Sequence, residues 1–509
     1  MMPEPPAAPR PRGTGWLALA SVLDVDSAVR ISGVGLDSRR IVPGDLYVAL
    51  PGQATHGARF AAAAVAAGAV AVLTDAEGAG LAGDLGVPVL TVPDPRSKLA
   101  RVAAAVNGWP ATQLLMLGVT GTTGKTSTTF LLEAGLAAAG KLTGTIGTIG
   151  FRLGGEELPA VRSTITTPEA PDLQALLALL RDRGADAVAM EVSSHALALH
   201  RTDAITFDVA GFTNLGRDHL DFHHDQEQYY LAKRRLFTDG RCRRAVVNTD
   251  DVWGRRLVDR LRTDGTPFRT TGSTPDADYR VTSREPLADG RTRLRLATPS
   301  GEHAFVLGLL GEFNVRNALT AAAMLDCAGV ELATALAGFA TASIPGRMQR
   351  VPLPGDAPNV VVDFAHTPES VAAALASLPG GPVTAVLGCG GDRDRAKREP
   401  MGEAAAGAAR LVVVTDDNPR SEDPAAIRQA VLAGARRAAA ETGAEVLDGG
   451  DRRSAIRMAL RRTGPEQWVA ILGKGHERGQ DIGGVVTPFD DVAVAQQEWA
   501  AIRQGGGHG

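Results

Sequence analysis

The chain has 509 residues, of which 44% are apolar and 22% are charged, and its formal net charge is −4 at neutral pH. This length exceeds what one hydrophobic core usually organises and predicts about three domains, while the lack of a basic excess gives no sign of a nucleic-acid or anionic-membrane partner. Three widely spaced cysteines (Cys242, Cys327 and Cys389) are typical of a reducing cytoplasm rather than of a disulfide scaffold or a zinc site, and no apolar run approaches a membrane span.

The first hundred residues predict a small N-terminal α/β domain. Residues 1–13, rich in Pro and Arg, and residues 505–509 predict disordered tails. The apolar stretch at 15–23 predicts a buried first helix rather than a secretion signal, because it is short and runs into acidic residues. Short apolar runs then alternate with turns and alanine-rich stretches, and the predicted domain spans residues 14–110.

The most informative motif is the glycine-rich segment at 121–127, which follows an apolar run and precedes a helix-compatible run. A strand, a glycine turn and a helix start point backbone N–H groups and the helix dipole at an anion. Lys125 is expected to reach the outer phosphates of a nucleotide, and the Thr126 hydroxyl to face Mg²⁺. Val119 stands where the common phosphate loop has a Gly, which argues against an ordinary kinase or GTPase.

Beyond this loop, three short apolar runs each end in polar residues, at 187–190, 207–212 and 244–247. Continuous apolar runs predict strands buried on both faces, and ligands bind at the carboxyl edge of such parallel sheets. We therefore expect a central P-loop ATPase-like sheet in a nucleotide-binding domain over residues 111–345.

Three groups in this predicted domain have two interpretations each. Glu191, at a strand end, is either an Mg²⁺ ligand, which we favour, or a capping or salt-bridged carboxylate. His219 is either a cation ligand or a hydrogen-bonded structural residue, and the residue chemistry leaves this open because Mg²⁺ prefers oxygen. The basic face of the predicted helix around Lys233 is, on its own, ordinary solvated charge.

The strand pattern restarts at 360–362, 383–387, 411–414 and 468–472, which predicts a C-terminal Rossmann-like doubly wound sheet over residues 346–509. The turn from Asp417 to Arg420 offers an amide and a guanidinium that suit a carboxylate. The loop at 473–477 offers an open backbone and the Glu477 carboxylate, which suit an ammonium group. Together the two loops would hold an amino acid, although each alone is an ordinary loop.

Fourteen motifs occur in an order that resembles the Mur ligase family, and most closely its diaminopimelate-adding branch, MurE. The resemblance covers almost the whole chain. The motifs lie at 37–39, 43–46, 121–127, 166–168, 191–195, 200–201, 214–219, 232–233, 314–317, 346–348, 363–368, 390–393, 417–420 and 473–477.

The resemblance implies a cytoplasmic, monomeric, ATP- and Mg²⁺-dependent amide ligase of peptidoglycan precursor synthesis. ATP would phosphorylate the D-Glu γ-carboxylate of UDP-MurNAc-L-Ala-D-Glu, and the amine of diaminopimelate would attack the acyl phosphate. Neither nucleic acid nor membrane insertion is implied.

The family's site residues transfer to this chain by position. The implied catalytic residues are Lys125, Lys233, His219 and Glu191, and the implied metal ligands are Thr126, Glu191, His219 and Lys233, the last as a carbamate. The implied ATP contacts are Gly121, Thr122, Thr123, Gly124, Lys125, Thr126, Ser127, Asn317, Arg347, Asp363 and His366. The implied contacts to the UDP-linked substrate are Ser38, Gln53, Ala54, Thr55, Thr166, Thr167, Ser193 and Arg201. Those to diaminopimelate are Arg393, Asp417, Asn418, Pro419, Arg420, Gly473 and Glu477.

Arg420 bears on which amino acid is added. Lysine-adding relatives lack this arginine, since lysine has no second carboxylate to pair with it, so the resemblance implies diaminopimelate, either meso or LL. Two departures from the family pattern, Leu199 and Ile165, put two contacts to the UDP-linked substrate in doubt.

Two alternatives compete with this interpretation. A folylpolyglutamate- or cyanophycin-type ligase would share the phosphate loop and the carbamate lysine, but it would lack the 37–39 motif and the 417–420 turn. A nucleotide-binding regulatory protein with a dead site is disfavoured by the intact Lys125, Glu191 and Lys233.

Overall fold

The computed structural model describes residues 17–23, 27–52, 54–158, 166–287 and 290–505. The predicted tails lie outside these residues, except for Gly505, which ends the last helix. The chain divides into two compact units. Unit 1 comprises Met1–Arg284, Leu294–Val306 and Val315–Ala340, and unit 2 comprises Glu285–Arg293, Leu307–Asn314 and Thr341–Gly509. No helix among the described residues is both long and apolar enough to cross a membrane.

The N-terminal part of unit 1 is built on a parallel four-stranded sheet in the order β3-β4-β5-β6. Its elements are β1 Leu17–Ala18, β2 Arg30–Ile31, β3 Gly33–Gly35, β4 Asp45–Val48, α1 Ala61–Ala66, β5 Ala71–Thr74, α2 Ala76–Ala82, β6 Val89–Thr91 and α3 Pro95–Val106. Short 3₁₀ helices lie at Leu19–Ser21, Ser38–Arg40, Gly57–Phe60 and Pro110–Gln113.

The helix predicted at 15–23 is wrong for the described residues 17–23. Leu17 and Ala18 instead form β1, which pairs with β2, and a single 3₁₀ turn follows. Leu19 and Leu23 are buried, as the apolar run predicted. The pairing with a strand more than ten residues away decides the local conformation, and no local pattern in this segment reports it.

The rest of unit 1 contains an eight-stranded mixed sheet in the order β10-β9-β8-β11-β7-β12-β13-β14. Its elements are β7 Leu115–Thr120, α4 Lys125–Ala138, β8 Thr143–Gly147, β9 Gly150–Leu153, β10 Glu156–Glu157, α5 Ala170–Asp182, β11 Ala187–Glu191, α6 Ser194–Ala198, β12 Phe207–Phe212, α7 Leu220–His223, α8 Gln226–Arg234, β13 Cys242–Asn248, α9 Val252–Asp264 and β14 Phe268–Thr271.

The register of this sheet brings three strand ends together. β7 lies between β11 and β12 and runs parallel to both, with Val119 opposite Glu191 and Thr120 opposite Phe212. The chain turns to one side of β7 and later to the other, so this edge is a topological switch point, where ligands bind in open α/β sheets.

Three strands and two helices follow. They are β15 Arg280–Pro286, β16 Thr292–Thr298, β17 Gly301–Leu307, α10 Glu312–Cys327 and α11 Leu332–Gly338. The strands form a sheet in the order β15-β16-β17.

Unit 2 is built on a six-stranded sheet in the order β18-β19-β23-β20-β21-β22, in which only β18 is antiparallel to its neighbour. Its elements are β18 Gln349–Val351, β19 Asn359–Asp363, α12 Pro368–Ala376, β20 Val383–Leu387, α13 Arg398–Ala408, β21 Leu411–Thr415, α14 Pro424–Thr442, β22 Glu445–Gly450, α15 Arg452–Arg462, β23 Trp468–Leu472, β24 Gly479–Ile482, β25 Val485–Pro488 and α16 Asp491–Gly505. Strands β24 and β25 pair as a separate hairpin.

The loops that were singled out in the sequence lie at the carboxyl edge of this second sheet. β23 lies between β19 and β20 and is parallel to both, so Asp363, Gly388 and Gly473 follow or end neighbouring strands. The predicted central and C-terminal sheets are thus confirmed, whereas the exact domain boundaries stay a prediction.

Candidate active site

The phosphate loop joins β7 to α4, and its shape requires glycine at position 124. Gly124 has φ +86° and precedes the first residue of α4. A Cβ atom there would lie 2.3 Å from Asn317 Oδ1. Asn317, on α10, is buried against the loop. The backbone at position 124 therefore lies closer to Asn317 than any residue with a side chain would permit. The free N–H groups at the start of α4 offer an anion site.

Two residues after β12 brace the loop from the side. Asn214 Oδ1 accepts a hydrogen bond from Thr123 N at 3.0 Å, and Asn214 Nδ2 donates to Thr123 O at 3.1 Å. Asn214 O accepts from Thr122 N at 3.0 Å, and Thr213 Oγ1 donates to Thr123 O at 2.6 Å. Sequence analysis assigned no role to this pair. Its position directly after an apolar run could have indicated a place at the sheet edge.

Two lysines meet at the loop. Lys125 Nζ donates to Gly121 O at 2.8 Å and to Thr122 O at 2.9 Å, and Lys233 Nζ donates to Gly121 O at 2.8 Å. The Lys233 side chain is 1% exposed, and its nitrogen lies 4.5 Å from the centroid of the Tyr229 ring. Interpreting Lys233 as solvated charge is therefore wrong. Burial, and then the nearby Lys125, lower the pKa of Lys233 well below its usual range.

Glu191 ends β11 with its carboxylate beside the loop. Glu191 Oε1 accepts hydrogen bonds from Thr126 Oγ1 and from Thr148 N, both at 2.9 Å, and Oε2 accepts from Thr148 Oγ1 at 3.1 Å. A Cβ atom on Gly147 would lie 2.2 Å from Oε1, so this glycine makes room for the carboxylate. Hydroxyl and carboxylate oxygens thus meet at the start of α4, and they are the donor type that Mg²⁺ prefers.

His219 lies in a group of aromatic rings rather than in a preformed metal site. It has φ +53°, its side chain is 46% exposed, and its ring centroid is 4.9 Å from that of His195. His223, which the sequence did not single out, is buried and shares a hydrogen bond of 2.9 Å with Ser194 Oγ. Within the described ranges, no group of three or more His, Cys, Asp or Glu side chains could hold a metal ion. A metal-binding role for His219 stays a prediction.

Four of the residues expected at the UDP-linked substrate lie together next to Glu191. Thr167 Oγ1 donates to Glu191 O at 2.8 Å and accepts from Ser193 N at 3.1 Å. Arg201 Nη1 donates to Thr167 O at 3.0 Å, and its Nη2 donates to Glu169 Oε1 at 2.7 Å. The fourth residue, Thr166, shares a hydrogen bond of 3.1 Å with Thr148.

The remaining residues expected at this substrate lie in the N-terminal part of the chain. Ser38 begins the 3₁₀ helix after β3, and Thr55 O accepts a hydrogen bond from Gly52 N at 3.2 Å. Ala54, which precedes Thr55, is exposed. Gln53 and the departure at Ile165 lie outside the described residues. Leu199, the other departure, is half-buried at the end of α6.

Three residues expected near ATP belong to unit 2 and surround Phe364. The Arg347 guanidinium lies 4.9 Å from the Phe364 ring centroid, and His366 Nδ1 is 2.8 Å from Phe364 O. The Asp363 carboxylate accepts hydrogen bonds from Met348 N at 2.6 Å and Ala365 N at 2.8 Å. Burial raises the pKa of Asp363. This carboxylate therefore fixes the turn that carries Arg347. Of the four residues outside the loop that are expected near ATP, Asn317 is the one in the loop's own unit.

The turn at 417–420 and the loop at 473–477 also come together. Asn418 Nδ2 donates to Glu477 Oε2 at 2.8 Å. Arg420 has φ +53°, and its Nη1 donates to Gly391 O at 2.7 Å. A Cβ atom on Gly473 would lie 2.5 Å from Asp417 Oδ2, so this glycine lets the two loops touch. Burial raises the pKa of Asp417. Pro419 is buried, whereas Arg393 is exposed.

Sequence analysis did not single out the groups that hold these two loops together. Lys474 Nζ lies 3.2 Å from Asn418 Oδ1 and 3.4 Å from Glu477 Oε2. Gln480 Nε2 donates to Asp417 O at 2.7 Å, and Asp481 N donates to Asn418 Oδ1 at 3.0 Å. Lys474 stood inside a recognised motif, but nothing in its neighbourhood in the sequence shows which way its side chain points.

Three models of the Mur ligase family match successive parts of the chain. Residues 30–107 match the model described as Mur ligase family, catalytic domain, residues 119–325 match the Mur ligase middle domain, and residues 346–475 match the Mur ligase, glutamate ligase domain.

Named relatives cover the chain almost completely. It is 48% identical over 505 residues to the UDP-N-acetylmuramoyl-L-alanyl-D-glutamate–2,6-diaminopimelate ligase of Streptomyces coelicolor, covering 97% of this chain and 98% of that one. It is 46% identical to the protein of the same name from Streptomyces avermitilis, covering 98% and 99%. A solved structure, again of a UDP-N-acetylmuramoyl-L-alanyl-D-glutamate–2,6-diaminopimelate ligase, aligns with a TM-score of 0.73 at 30% identity and covers 96% of this chain and all of that one. The chain therefore belongs to the Mur ligase family and has its three-domain α/β architecture.

Proposed function

We propose that this protein is an ATP-dependent ligase that joins diaminopimelate to the D-Glu γ-carboxyl group of UDP-MurNAc-L-Ala-D-Glu, a cytoplasmic step of peptidoglycan precursor synthesis. The names of its relatives support both substrates. The observation that carries the proposal is the convergence of Lys125 and the buried Lys233 on Gly121 O, because a plain nucleotide-binding loop needs only the first lysine.

The lowered pKa of Lys233 suits it to carbamate formation. A neutral amine can attack the carbon of CO₂, forming an N–C bond and releasing one proton, whereas an ammonium cannot. Burial and the nearby Lys125 both favour the neutral amine over the ammonium, and the modification would replace it with an anion that Lys125 attracts.

The donor set at the start of α4 fits Mg²⁺. Thr126 Oγ1 and the Glu191 carboxylate supply oxygens, and the Lys233 carbamate would add more. The imidazole of His219 is a weaker match to this ion. When bound, Mg²⁺ neutralises negative charge on the nucleotide phosphates.

The chain's own residues would then carry the two chemical steps. An oxygen of the substrate carboxylate attacks the γ-phosphorus of ATP, ADP leaves, and the carboxylate becomes an acyl phosphate. The Lys125 ammonium and the N–H groups at the start of α4 stabilise the phosphate charge. The acceptor amine next attacks the acyl carbon, phosphate leaves and the amine nitrogen loses a proton. Thr166, Thr167, Ser193 and Arg201 lie beside Glu191, which suits holding the UDP-linked substrate near the loop.

In the C-terminal unit, the acceptor amino acid would bind between two loops. Arg420 offers its guanidinium to the distal carboxylate of diaminopimelate, and Glu477 offers its carboxylate to an ammonium group. Asn418 holds Glu477 in place by donating to Oε2.

Phosphate release by the purified protein tests this function. We expect release only when ATP, Mg²⁺, UDP-MurNAc-L-Ala-D-Glu and diaminopimelate are all present, together with a product heavier than the UDP-linked substrate by one diaminopimelate residue. ATP hydrolysis independent of the other substrates, or release with glutamate in place of diaminopimelate, would contradict the proposal. Light scattering during size-exclusion chromatography tests the proposed monomer.

A further inference from the structure

Lys474 is a fully buried lysine beside the proposed acceptor site, and it has no role in the chemistry described above. Its side chain is 0% exposed. Its ammonium nitrogen lies 2.6 Å from Gly479 O, 3.2 Å from Asn418 Oδ1 and 3.4 Å from Glu477 Oε2. Burying an ammonium group is costly unless acceptors surround it, and here three acceptors from two chain segments do so.

The backbone on either side of Lys474 is shaped to turn this side chain inwards. Gly473 has φ +113° and Gly475 has φ +54°, conformations that favour glycine. A Cβ atom on Gly475 would lie 2.7 Å from Phe364 Cβ, and one on Gly473 would lie 2.5 Å from Asp417 Oδ2. The two glycines therefore accommodate a tight turn whose one long side chain points into the protein.

Two donors, the Lys474 ammonium and Asp481 N, meet at the side-chain oxygen of Asn418. Asn418 Oδ1 accepts from Lys474 and from Asp481 N, so its Nδ2 faces Glu477 Oε2. Lys474, Asn418 and Glu477 thus form a closed triangle, in which Lys474 and Asn418 share one Glu477 oxygen. The Glu477 side chain remains 38% exposed, which leaves it accessible to a ligand.

We infer that Lys474 is a positioning residue for the amino-acid acceptor: its ammonium group orients the Asn418 amide and fixes the Glu477 carboxylate for the amine of diaminopimelate. This inference rests on the proposed function, because it assigns Lys474 a part in holding that acceptor. Lys474 acts through Asn418 and Glu477 and does not touch the acceptor itself.

Kinetics of Lys474→Met test the inference, since Met has a similar length and no charge. We expect KM for diaminopimelate to rise about 30-fold or more, as for removing one partner of a buried charged contact, with KM for ATP and for the UDP-linked substrate changing less than about threefold. The matched control is Arg437→Met, which removes a cation 57% exposed from surface ion pairs of the same unit and should leave all three KM values unchanged.

A double-mutant cycle separates positioning from a general loss of structure. If Lys474 works through Glu477, Lys474→Met should change KM for diaminopimelate much less in a Glu477→Gln background than in the wild type. Equal effects in both backgrounds, or similar rises in all three KM values, would overturn the inference.

Folding and the proposed function are checked separately. Circular dichroism and Tm report whether Lys474→Met folds. If it does not, Lys474→Arg, which keeps the charge but changes its geometry, should show the same selective rise in KM, and failure of both variants to fold would reject a positioning role. A wild type that does not ligate diaminopimelate would refute the proposed function. A wild type that does, alongside a folded Lys474→Met with unchanged KM, would refute the inference alone.

Discussion

Lys125 and Lys233 donate hydrogen bonds to the same acceptor, the carbonyl oxygen of Gly121. If both amines were charged they would repel each other at this carbonyl, and the amine with less access to water would give up its proton more readily. That group is Lys233, whose pKa is lowered by burial first and by Lys125 second.

Lys233→Ala should therefore abolish most ligase activity. We expect turnover to fall by about 100-fold or more, because the proposed carbamate, and with it an oxygen ligand for Mg²⁺, would be lost. Short carboxylates such as formate or acetate should partly restore activity by occupying the space of the carbamate. Arg234→Ala, at the next position of α8, is the control and should retain activity. Unchanged turnover in Lys233→Ala, measured by phosphate release, would contradict a carbamate.

Gly124→Ala should weaken nucleotide binding through a specific clash. The added Cβ would lie 2.3 Å from Asn317 Oδ1, and φ is +86°. Gly140→Ala is a matched control, since φ is +73° there but no atom lies within 4 Å of the added Cβ. Each variant bears a backbone cost of about 1–2 kcal/mol, but only Gly124→Ala should weaken ATP binding in calorimetry, by tenfold or more. Similar ATP affinity in the two variants would refute this role for the Gly124–Asn317 contact.

Arg420→Ala should weaken binding of diaminopimelate by about 2–5 kcal/mol, because the proposed charge-paired contact to the distal carboxylate would be lost. The rise should appear in KM for diaminopimelate, while lysine remains a poor substrate of the wild type. Arg462→Ala, which removes a cation 45% exposed from the same unit, serves as the control. Equal turnover of lysine and diaminopimelate by the wild type would exclude this basis for specificity.

Asp203→Asn should destabilise the protein most at neutral pH. Burial opposes ionisation of Asp203, but hydrogen bonds from His200 and Arg241 outweigh it and hold the pKa far below its usual range. A depressed pKa stabilises the fold above the unfolded value of about 3.9, and this stabilisation is lost as the pH falls towards the folded value.

The cost of Asp203→Asn, about 1–2 kcal/mol at pH 7, should thus shrink below about pH 4. Tm values of the wild type and the variant between pH 7.5 and 3.5 measure this. Asp259→Asn, where the carboxylate is 75% exposed, should show little effect at any pH. A difference in Tm that grows on acidification would contradict the assignment.

The buried sheets could be predicted from the sequence because their strands are apolar on both faces. The runs predicted at 383–387 and 468–472 coincide with β20 and β23. The segment at 17–23 could not be predicted, since β1 owes its conformation to pairing with β2. Short local patterns do not report such pairings.

Some residues of the candidate site could be predicted from the sequence, and others could not. Glu191 and the 417–420 turn could be placed because residues that follow parallel strands meet at one sheet edge. Neighbouring residues in the sequence do not predict the direction in which a long side chain points. The burial of Lys233 and Lys474 could therefore be seen only in the structure. The bracing role of Asn214 was likewise not predicted, because its partner Thr123 lies 91 positions earlier in the chain.

The bracing of the phosphate loop by Asn214 has a consequence for how the protein is made. Because the hydrogen bonds to Thr122 and Thr123 come from beyond the end of β12, a nascent chain that stops before residue 214 carries the nucleotide motif without the partner that holds it in shape. Lys233 and Asn317 emerge later still, so the loop gains its second lysine and its neighbour at Gly124 only after Asn214 has been made. The motif that is easiest to find in the sequence is thus among the last parts of its unit to become a working site during synthesis.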